Sequence, residues 1–293
     1  MNSTLAAPKE FRPRGPSRRT THIVRRIVLV IGLAFFLLWT LVPLFWILAT
    51  SVKTNKEIYS DVSLFPRTVT WIHYEELLIT TQYATYFKNS VMVAAVTTVI
   101  AIVIGFLGAY AIARLDFKGR TAVARATIIT YLVPSSLLFI PLYQIAFQLG
   151  ITDQALGLPL IYLVGAVPFC TWLAISYFSV IPAELEEAAF VDGANRLQAM
   201  TLVTLPLALP AVAVIALYAF TISWNEFFYS LLLISSDSQK TIPAGLAGFI
   251  NGDVYQWGGM MAGAVLSSIP PVLLYIIAQR WVVSGLAGGA IKG

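Results

Sequence analysis

The sequence predicts an all-α, polytopic membrane protein with six transmembrane helices. Its composition, its long uncharged stretches and the placement of its positive charges all support that fold class. Hydrophobic residues make up 58% of the 293 residues and charged residues only 11%, with a mean hydropathy of +0.79. A soluble domain usually carries about 25% charged residues. Because too few are present to cover a water-facing surface, most of the surface is expected to face lipid.

The first predicted span follows a basic segment. Residues 1–26 are rich in Pro, Arg, Ser and Thr and are predicted to form a cytoplasmic basic tail. Residues 27–50 contain no charge and would reach about 36 Å as a helix, enough to cross the hydrocarbon core. The alternative for the tail is a basic arm for nucleic acid, but its arginines lie directly before the apolar stretch, as at the cytoplasmic end of a membrane helix. No nucleic-acid partner is expected.

Five further spans are predicted on the same grounds. They cover residues 90–113, 122–147, 158–180, 205–234 and 260–283, which leaves residues 284–293 as a cytoplasmic C-terminal tail. The third span contains Arg125, Pro134 and Pro141, and the fifth contains Pro206, Pro210 and Glu226, so these two are less uniform. Prolines are tolerated in membrane helices where neighbours satisfy the freed backbone groups, and they mark kinks. Kinked spans of this kind are typical of a transport pathway rather than of a passive anchor.

The distribution of positive charge predicts the orientation. Six spans place both termini on one side of the membrane. That side would hold the two tails and the loops 114–121 and 181–204, and with Arg125 at a loop edge it carries 14 of the 19 Lys and Arg residues. The other side carries the remaining five. The positive-inside rule therefore predicts that both termini are cytoplasmic.

Several kinds of chemistry are not expected on this chain. Its single cysteine, Cys170, lies in an apolar stretch and allows no intrachain disulfide or thiolate metal cluster. The two histidines, His22 and His73, lie in polar flanking segments and do not suggest a metal site. The sequence contains no phosphate-binding loop, no zinc-protease motif and no set of residues for a catalytic triad. We therefore expect no catalytic residue, metal or cofactor on this chain.

The loop at residues 182–206 predicts a helix outside the membrane. Pro182 suits a helix start, and the segment that follows alternates apolar residues with four acidic ones. Nothing else in the chain is available to bury such a helix, so a protein partner is expected. Gln198 is expected to be an exposed position of little consequence.

The order of residues in this loop carries the main functional signal. Residues 187–193 read EAAFVDG, and after nine residues the sequence VTLP occupies positions 203–206. This pattern resembles the EAA loop of permeases from ATP-binding-cassette (ABC) importers, with Val203 where isoleucine is commoner. The resemblance implies that the loop docks in a groove of a separate ATP-binding subunit through Glu187, Ala188, Ala189, Asp192, Gly193, Ala194, Leu205 and Pro206. The alternative is an amphipathic helix on the membrane surface, but its acidic residues suit an anionic surface poorly.

Other stretches narrow the family. The sequence AYAIAR at 109–114, Asn89-Ser90, the sequence WNEF at 224–227 and the glycine-rich C-terminus at 285–293 are similar to carbohydrate-type permeases. The resemblance covers residues 25–293. It implies the type I ABC importer fold and the import of a sugar or oligosaccharide across the inner membrane of a prokaryote.

The same resemblance implies a set of partners. This chain would form half of a permease heterodimer with a second permease subunit. Two ATP-binding subunits would hold ATP and Mg, and an extracytoplasmic solute-binding protein would deliver the sugar.

Two candidate sites lie toward the outer face. Trp224, Asn225, Glu226 and Tyr229 are predicted to line the substrate path, because aromatic and amide groups suit sugars and an ionisable residue within a span usually faces a cavity or a partner. For Glu226, a role in helix packing or at the membrane interface remains the alternative. In the outer loop at 235–259, Phe249, Asn251 and Tyr255 are predicted to contact the solute-binding protein.

Two rival functions make different demands on the sequence. A secondary transporter or channel would show inverted repeats or carboxylates for a coupling ion, and neither is evident in the sequence. The second is an importer of the same class that carries a polyol, a glycerophosphodiester or an acidic saccharide such as a uronate. This second possibility stays open at the level of sequence.

Overall fold

The computed structural model describes residues 18–60, 63–251 and 254–290. Its α-helices are α1 (Arg18–Ser51), α2 (Asn55–Ser60), α3 (Ile72–Ile79), α4 (Tyr83–Arg114), α5 (Arg120–Leu132), α6 (Phe139–Gln148), α7 (Leu158–Phe178), α8 (Glu184–Val191), α9 (Arg196–Ala199), α10 (Leu205–Leu207), α11 (Leu209–Trp224), α12 (Phe228–Leu233), α13 (Ile242–Ala247) and α14 (Trp257–Ala290). A two-residue hairpin pairs β1 (Ile250–Asn251) with β2 (Val254–Tyr255) in antiparallel fashion. The predicted all-α membrane fold is confirmed.

Six membrane crossings are consistent with the helices in the described part of the chain. Four of them are long and apolar enough to cross a membrane unbroken, namely 25–51, 83–114, 155–178 and 257–281. Two further pairs of helices meet the same test together but are sharply bent. One pair joins 120–132 to 135–148 at 92°, and the other joins 196–207 to 209–224 at 77°. Counting each bent pair as one span gives six.

The third predicted span, 122–147, is not one straight helix. α5 ends at Leu132, Val133 adopts an extended backbone, and a 3-10 turn at Ser135–Leu138 leads into α6. Pro134 explains the break, because its ring disfavours helical backbone in the preceding residue and it has no N–H to donate.

The fifth predicted span, 205–234, is also divided. A π-helical turn at Met200–Thr204 leads into the short helix α10, and the chain bends at Ala208 before α11 begins. Pro206 and Pro210 lie in the first turns of α10 and α11, where a missing N–H costs nothing. α11 then ends at Trp224, so the outer part of the predicted span is a turn followed by α12.

The terminal helices are longer than the predicted spans. α1 begins at Arg18, so the described part of the predicted basic tail is helical, since arginine has a high helix propensity and an existing helix extends at little cost. Residues 1–17 lie outside the described residues. α14 continues to Ala290 and takes in most of the predicted C-terminal tail, of which residues 291–293 lie outside the described part.

Helix α4 lies at the centre of the bundle and packs along α7 and α11. Small side chains allow the close approach: a Cβ added at Gly105 would lie 3.1 Å from the Cβ of Cys170 on α7, and the buried residues of the contact include many alanines. Close packing of small residues is a common way to hold membrane helices together. In contrast, α1 packs on α14 and leaves most of its apolar side chains exposed.

Candidate coupling loop and membrane cavity

The EAA segment forms helix α8 with a glycine end cap. The N–H of Gly193 donates to the Phe190 carbonyl at 3.1 Å, and the N–H of Ala194 donates to the Ala189 carbonyl at 2.9 Å. This is the Schellman arrangement, which needs left-handed backbone at the glycine, and Gly193 has φ +89°. A Cβ at Gly193 would meet nothing within 4 Å. The glycine is therefore required by the turn, and the space beside it is open.

The EAA helix presents an unusual surface for a protein in water. Glu187, Ala188 and Asp192 are exposed, while Ala189 and Ala194 are half-buried. Val191 is 88% exposed, and Leu197 in the next helix is 65% exposed. Two apolar side chains this exposed, among small residues and carboxylates, form a surface suited to a protein partner. We call residues 187–197 the coupling surface.

A capping box begins helix α9 directly after this turn. The Asn195 Oδ1 accepts from the N–H of Gln198 at 2.9 Å, and the Gln198 Oε1 accepts from the N–H of Asn195 at 2.8 Å. Gln198 was expected to be an exposed position of little consequence. It is exposed, as expected, and its side chain also caps the helix.

A buried carboxylate that the sequence reasoning missed fixes α8 to the membrane helices. Glu186 is only 4% exposed. Its Oε1 accepts from the Arg114 Nε at 2.9 Å and from the Thr204 Oγ1 at 2.6 Å, and its Oε2 accepts from the Tyr110 hydroxyl at 3.0 Å. Arg114 also donates to the Ile181 carbonyl at 2.6 Å. Tyr110 and Arg114 lie at the C-terminal end of α4, and Thr204 lies directly before α10.

This network, which we call the Glu186 joint, explains how the two halves of the motif meet. Thr204 directly precedes Leu205 and Pro206, so its hydrogen bond holds the end of the motif against α8. Leu205 packs against the core around α4 and α7. The sequence features that could have indicated this network are an arginine at the end of a span and two adjacent glutamates. Which glutamate turns inward depends on the helix orientation, and that could not be read from one sequence.

The four candidate residues for the substrate path separate into two groups. Trp224 is buried and donates its indole N–H to the Ser267 carbonyl at 3.1 Å, while Asn225 donates to the Thr221 carbonyl at 2.8 Å. Both have local structural partners. In contrast, Glu226 and Tyr229 line a cavity of about 420 Å³.

The cavity lies where two broken helices meet α7. Its walls come from the break between α5 and α6, the outer half of α7, and the break between α11 and α12. Glu226 accepts hydrogen bonds from the N–H groups of Tyr229 and Ser230, at 3.1 and 3.2 Å, and so caps helix α12. The Tyr229 hydroxyl donates to the Ser135 carbonyl at 2.5 Å, which connects the two breaks.

A loop carboxylate joins the same elements outside the membrane. Asp153 follows α6 with a positive φ of 58°. Its Oδ2 accepts from the Ser236 hydroxyl at 2.5 Å, and its Oδ1 accepts from the N–H groups of Ser236 and Ser235 at 2.7 and 2.9 Å. These bonds, led by that of the Ser236 hydroxyl, lower the pKa of Asp153. The loops that follow α6 and α12 are thereby fixed to each other.

The outer loop differs from the prediction in one respect. Phe249 is only 9% exposed and packs in a cluster with Tyr83, Trp224 and other buried residues. Phe249 is therefore a packing residue in this chain, because its ring fills the space left by Gly259, where a Cβ would lie 2.9 Å away. Tyr255 is exposed and stacks on Trp257. Asn251 belongs to β1, and its side chain lies outside the described residues.

Comparison with known proteins identifies the family. Residues 101–288 match the family described as "Binding-protein-dependent transport system inner membrane component". The inner membrane ABC transporter permease protein YcjP of Escherichia coli (strain K12) is 38% identical over 271 residues, covering 92% of this chain and 97% of YcjP. The trehalose/maltose transport system permease protein MalG of Thermococcus litoralis is 34% identical over 278 residues, covering 93% of this chain and 99% of MalG.

A solved structure has the same fold. A chain from the crystal structure of a bacterial ABC transporter involved in the import of the acidic polysaccharide alginate superposes with a TM-score of 0.77. The match covers 94% of this chain and all of the other, at 24% sequence identity. The matched family region contains both the Glu186 joint and the cavity. This chain belongs to the binding-protein-dependent transport system inner membrane component family, the permeases of ABC importers.

Proposed function

We propose that this chain is one of two permease subunits of an importer that moves a sugar or oligosaccharide into the cytoplasm, driven by ATP hydrolysed on separate subunits. The observation that carries the proposal is an exposed coupling surface attached to the membrane helices by the Glu186 joint. The carbohydrate cargo is supported by the resemblance to carbohydrate-type permeases and by the 34% identity to a trehalose/maltose permease.

The ATP-binding subunit is the partner that suits the coupling surface. The chain has no phosphate-binding loop, so ATP must act from another polypeptide. A groove on that polypeptide would cover Val191 and Leu197, whose burial would favour binding by about 1.5–3 kcal/mol for each fully buried side chain. Small residues at 188, 189 and 193 allow the partner's surface to approach the backbone closely.

Motion of the coupling surface would reach the membrane through the Glu186 joint. Arg114 and Tyr110 lie at the inner end of α4, the central helix of the bundle, and Thr204 directly precedes α10 and the bend into α11. A buried ion pair with further hydrogen bonds holds a fixed geometry, because breaking it leaves an uncompensated charge. When the ATP-binding subunits close, α8 would therefore move α4 and α11 together.

A second permease subunit would complete the membrane part. No residue of α5 is buried in the described chain, although this helix carries Arg120, Arg125 and several threonines. Polar and charged residues are costly next to lipid and usually face a protein interior. A second permease packed against α5 and α6 would cover this face. The excess of positive charge supports an orientation with both termini in the cytoplasm and the solute-binding protein at the opposite face.

The test compares two glycines with the same backbone geometry. Gly193 and Gly119 both have φ +89°, and a Cβ at either would meet nothing within 4 Å. Asparagine tolerates left-handed backbone better than other residues, so Gly193→Asn and Gly119→Asn carry similar intrinsic costs. We expect Gly193→Asn to reach the membrane but to lose the ATP-binding subunits and at least tenfold in ATP-dependent sugar uptake. Gly119→Asn should retain both.

The same experiment also tests the alternative, in which α8 is an amphipathic helix on the membrane surface. Equal uptake by the two variants and the wild-type chain would mean that no partner covers Gly193 and that α8 is only a helix on the membrane surface. Co-purification of the ATP-binding subunits and uptake into proteoliposomes provide the two readouts.

A further inference from the structure

We propose that the cavity between the two helix breaks is a saccharide-binding site on this chain, and that it selects neutral saccharides over acidic ones. The inference rests on the proposed function, and it adds the residues that contact the cargo and the charge class of that cargo. The cavity volume of about 420 Å³ lies within the usual range for small-molecule sites.

Aromatic side chains form one wall of this cavity. Tyr131 and Tyr218 both line it and are held in place by Phe169, whose ring lies 5.2 Å from that of Tyr131 and 4.0 Å from that of Tyr218. An aromatic ring offers a flat apolar surface with polar edges, and tyrosine adds a hydroxyl. This combination suits the C–H face and the hydroxyl groups of a pyranose.

The hydroxyl of Tyr162 and the carboxylate of Glu226 form the polar part of the wall. Tyr162 on α7 is only 6% exposed, and its hydroxyl makes no well-aligned hydrogen bond to a described residue. The hydroxyl and the Glu226 carboxylate are nevertheless close enough to interact. A sugar hydroxyl that enters the cavity would donate to the carboxylate and accept from the Tyr162 hydroxyl.

The charges around the cavity determine which saccharides fit. The described residues that line it include no Lys, Arg or His, and Glu226 is the single acidic residue among them. A uronate or phosphate group would meet a carboxylate with no cation to offset the repulsion, in a site where solvent screening is weak. A neutral saccharide brings only hydroxyl groups and meets no such repulsion.

The cavity is preformed by hydrogen bonds within the chain. The Tyr229 hydroxyl bonds to the Ser135 carbonyl across the two breaks, and Glu226 caps α12. Asp153 joins the loops that follow α6 and α12 just outside the membrane. Preformed sites lose less conformational freedom on binding. The proline-induced break at α5–α6 and the turn at 225–227 therefore serve to form a pocket.

The test uses the assembled importer in proteoliposomes, with its ATP-binding subunits and solute-binding protein. Trehalose and maltose are the neutral probes, and an alginate oligosaccharide is the acidic probe. We expect ATP-dependent uptake of a neutral probe and none of the acidic one. With that neutral probe, Tyr162→Phe should lower uptake at limiting sugar about fivefold, the loss of one hydrogen bond. The thermal stability of this variant should stay close to that of the wild type, because the hydroxyl makes no well-aligned hydrogen bond to a described residue. Glu226→Gln should also lower uptake, and it should relieve the exclusion of the acidic probe.

Tyr275→Phe is the matched control, since Tyr275 is exposed on α14 and does not line the cavity. Uptake should be unchanged in this variant. Wild-type uptake by Tyr162→Phe and Glu226→Gln, or uptake of the acidic probe alone by the unaltered importer, would overturn the inference and leave the proposed function intact. Failure of the ATP-binding subunits to co-purify with the unaltered chain would instead overturn the proposed function.

Discussion

Two carboxylates at opposite ends of the bundle, Glu186 in α8 and Glu226 between α11 and α12, have different surroundings. Glu186 is paired with Arg114 and accepts from two hydroxyl groups as well. Glu226 accepts hydrogen bonds from the backbone N–H groups of Tyr229 and Ser230 and forms no ion pair within the described part of the chain. The first carboxylate is fully satisfied by its own chain. The second faces a cavity that still has room for a ligand.

The difference matches the two roles proposed for these regions. A contact that transmits motion between helices must keep one geometry while they move. A buried and fully hydrogen-bonded ion pair provides such a contact. A transport site must bind its cargo and then release it, so its polar groups must remain available. The comparison predicts different losses of stability when each carboxylate is removed.

The largest effect is expected for Glu186→Ala. The substitution leaves Arg114 buried without its counter-charge and removes acceptors from Tyr110 and Thr204, which should cost about 3–5 kcal/mol. We expect a markedly lower melting temperature of the detergent-purified importer and loss of the ATP-binding subunits. Glu184→Ala, an exposed acidic position in the same helix, is the control and should change the stability by less than about 0.5 kcal/mol. Equal melting temperatures for the two variants would show that the Glu186 joint does not hold α8 in place.

A smaller effect is expected for Glu226→Ala. Here the loss is that of a helix cap, which typically costs about 0.5–2 kcal/mol, without an orphaned cation. The melting temperature should fall measurably but remain above that of Glu186→Ala, and the ATP-binding subunits should stay bound. Asn225→Ala, which removes one exposed hydrogen bond beside it, is the reference. A loss of stability for Glu226→Ala as large as that for Glu186→Ala would remove the contrast between the two sites.

The sequence predicted the structure well where the signal was a long apolar stretch or a short local motif. Uncharged stretches of membrane length located the apolar spans, since their composition alone decides where they can lie. The spacing of the EAA segment located a helix outside the apolar core, and Gly193 ends that helix with a positive φ, which glycine adopts without strain.

Features that depend on which face of a helix turns inward were not predictable. Glu186 and Glu187 are adjacent and chemically identical, and only the packing of α8 against Arg114 selects the first as the buried residue. Phe249 was predicted to lie at the surface because its loop is rich in glycine. Those glycines instead allow close packing, and the ring is buried. The prolines at 134 and 206 indicated kinks, but the 92° and 77° bends and the resulting cavity needed the three-dimensional structure.

The most direct test of the coupling account is a crosslink from the tip of α8. Val191→Cys in a Cys170→Ala background would place a single thiol on the coupling surface, because Cys170 is buried and Val191 is 88% exposed. A short bifunctional reagent should join this thiol to an ATP-binding subunit in the assembled importer. Val69→Cys, an exposed valine before α3, should form no such crosslink and should instead react with a membrane-impermeant thiol reagent added outside intact cells. Labelling of Val191→Cys from outside, or crosslinks from it to lipid and membrane helices only, would contradict the assignment of this loop as the contact through which ATP hydrolysis drives transport.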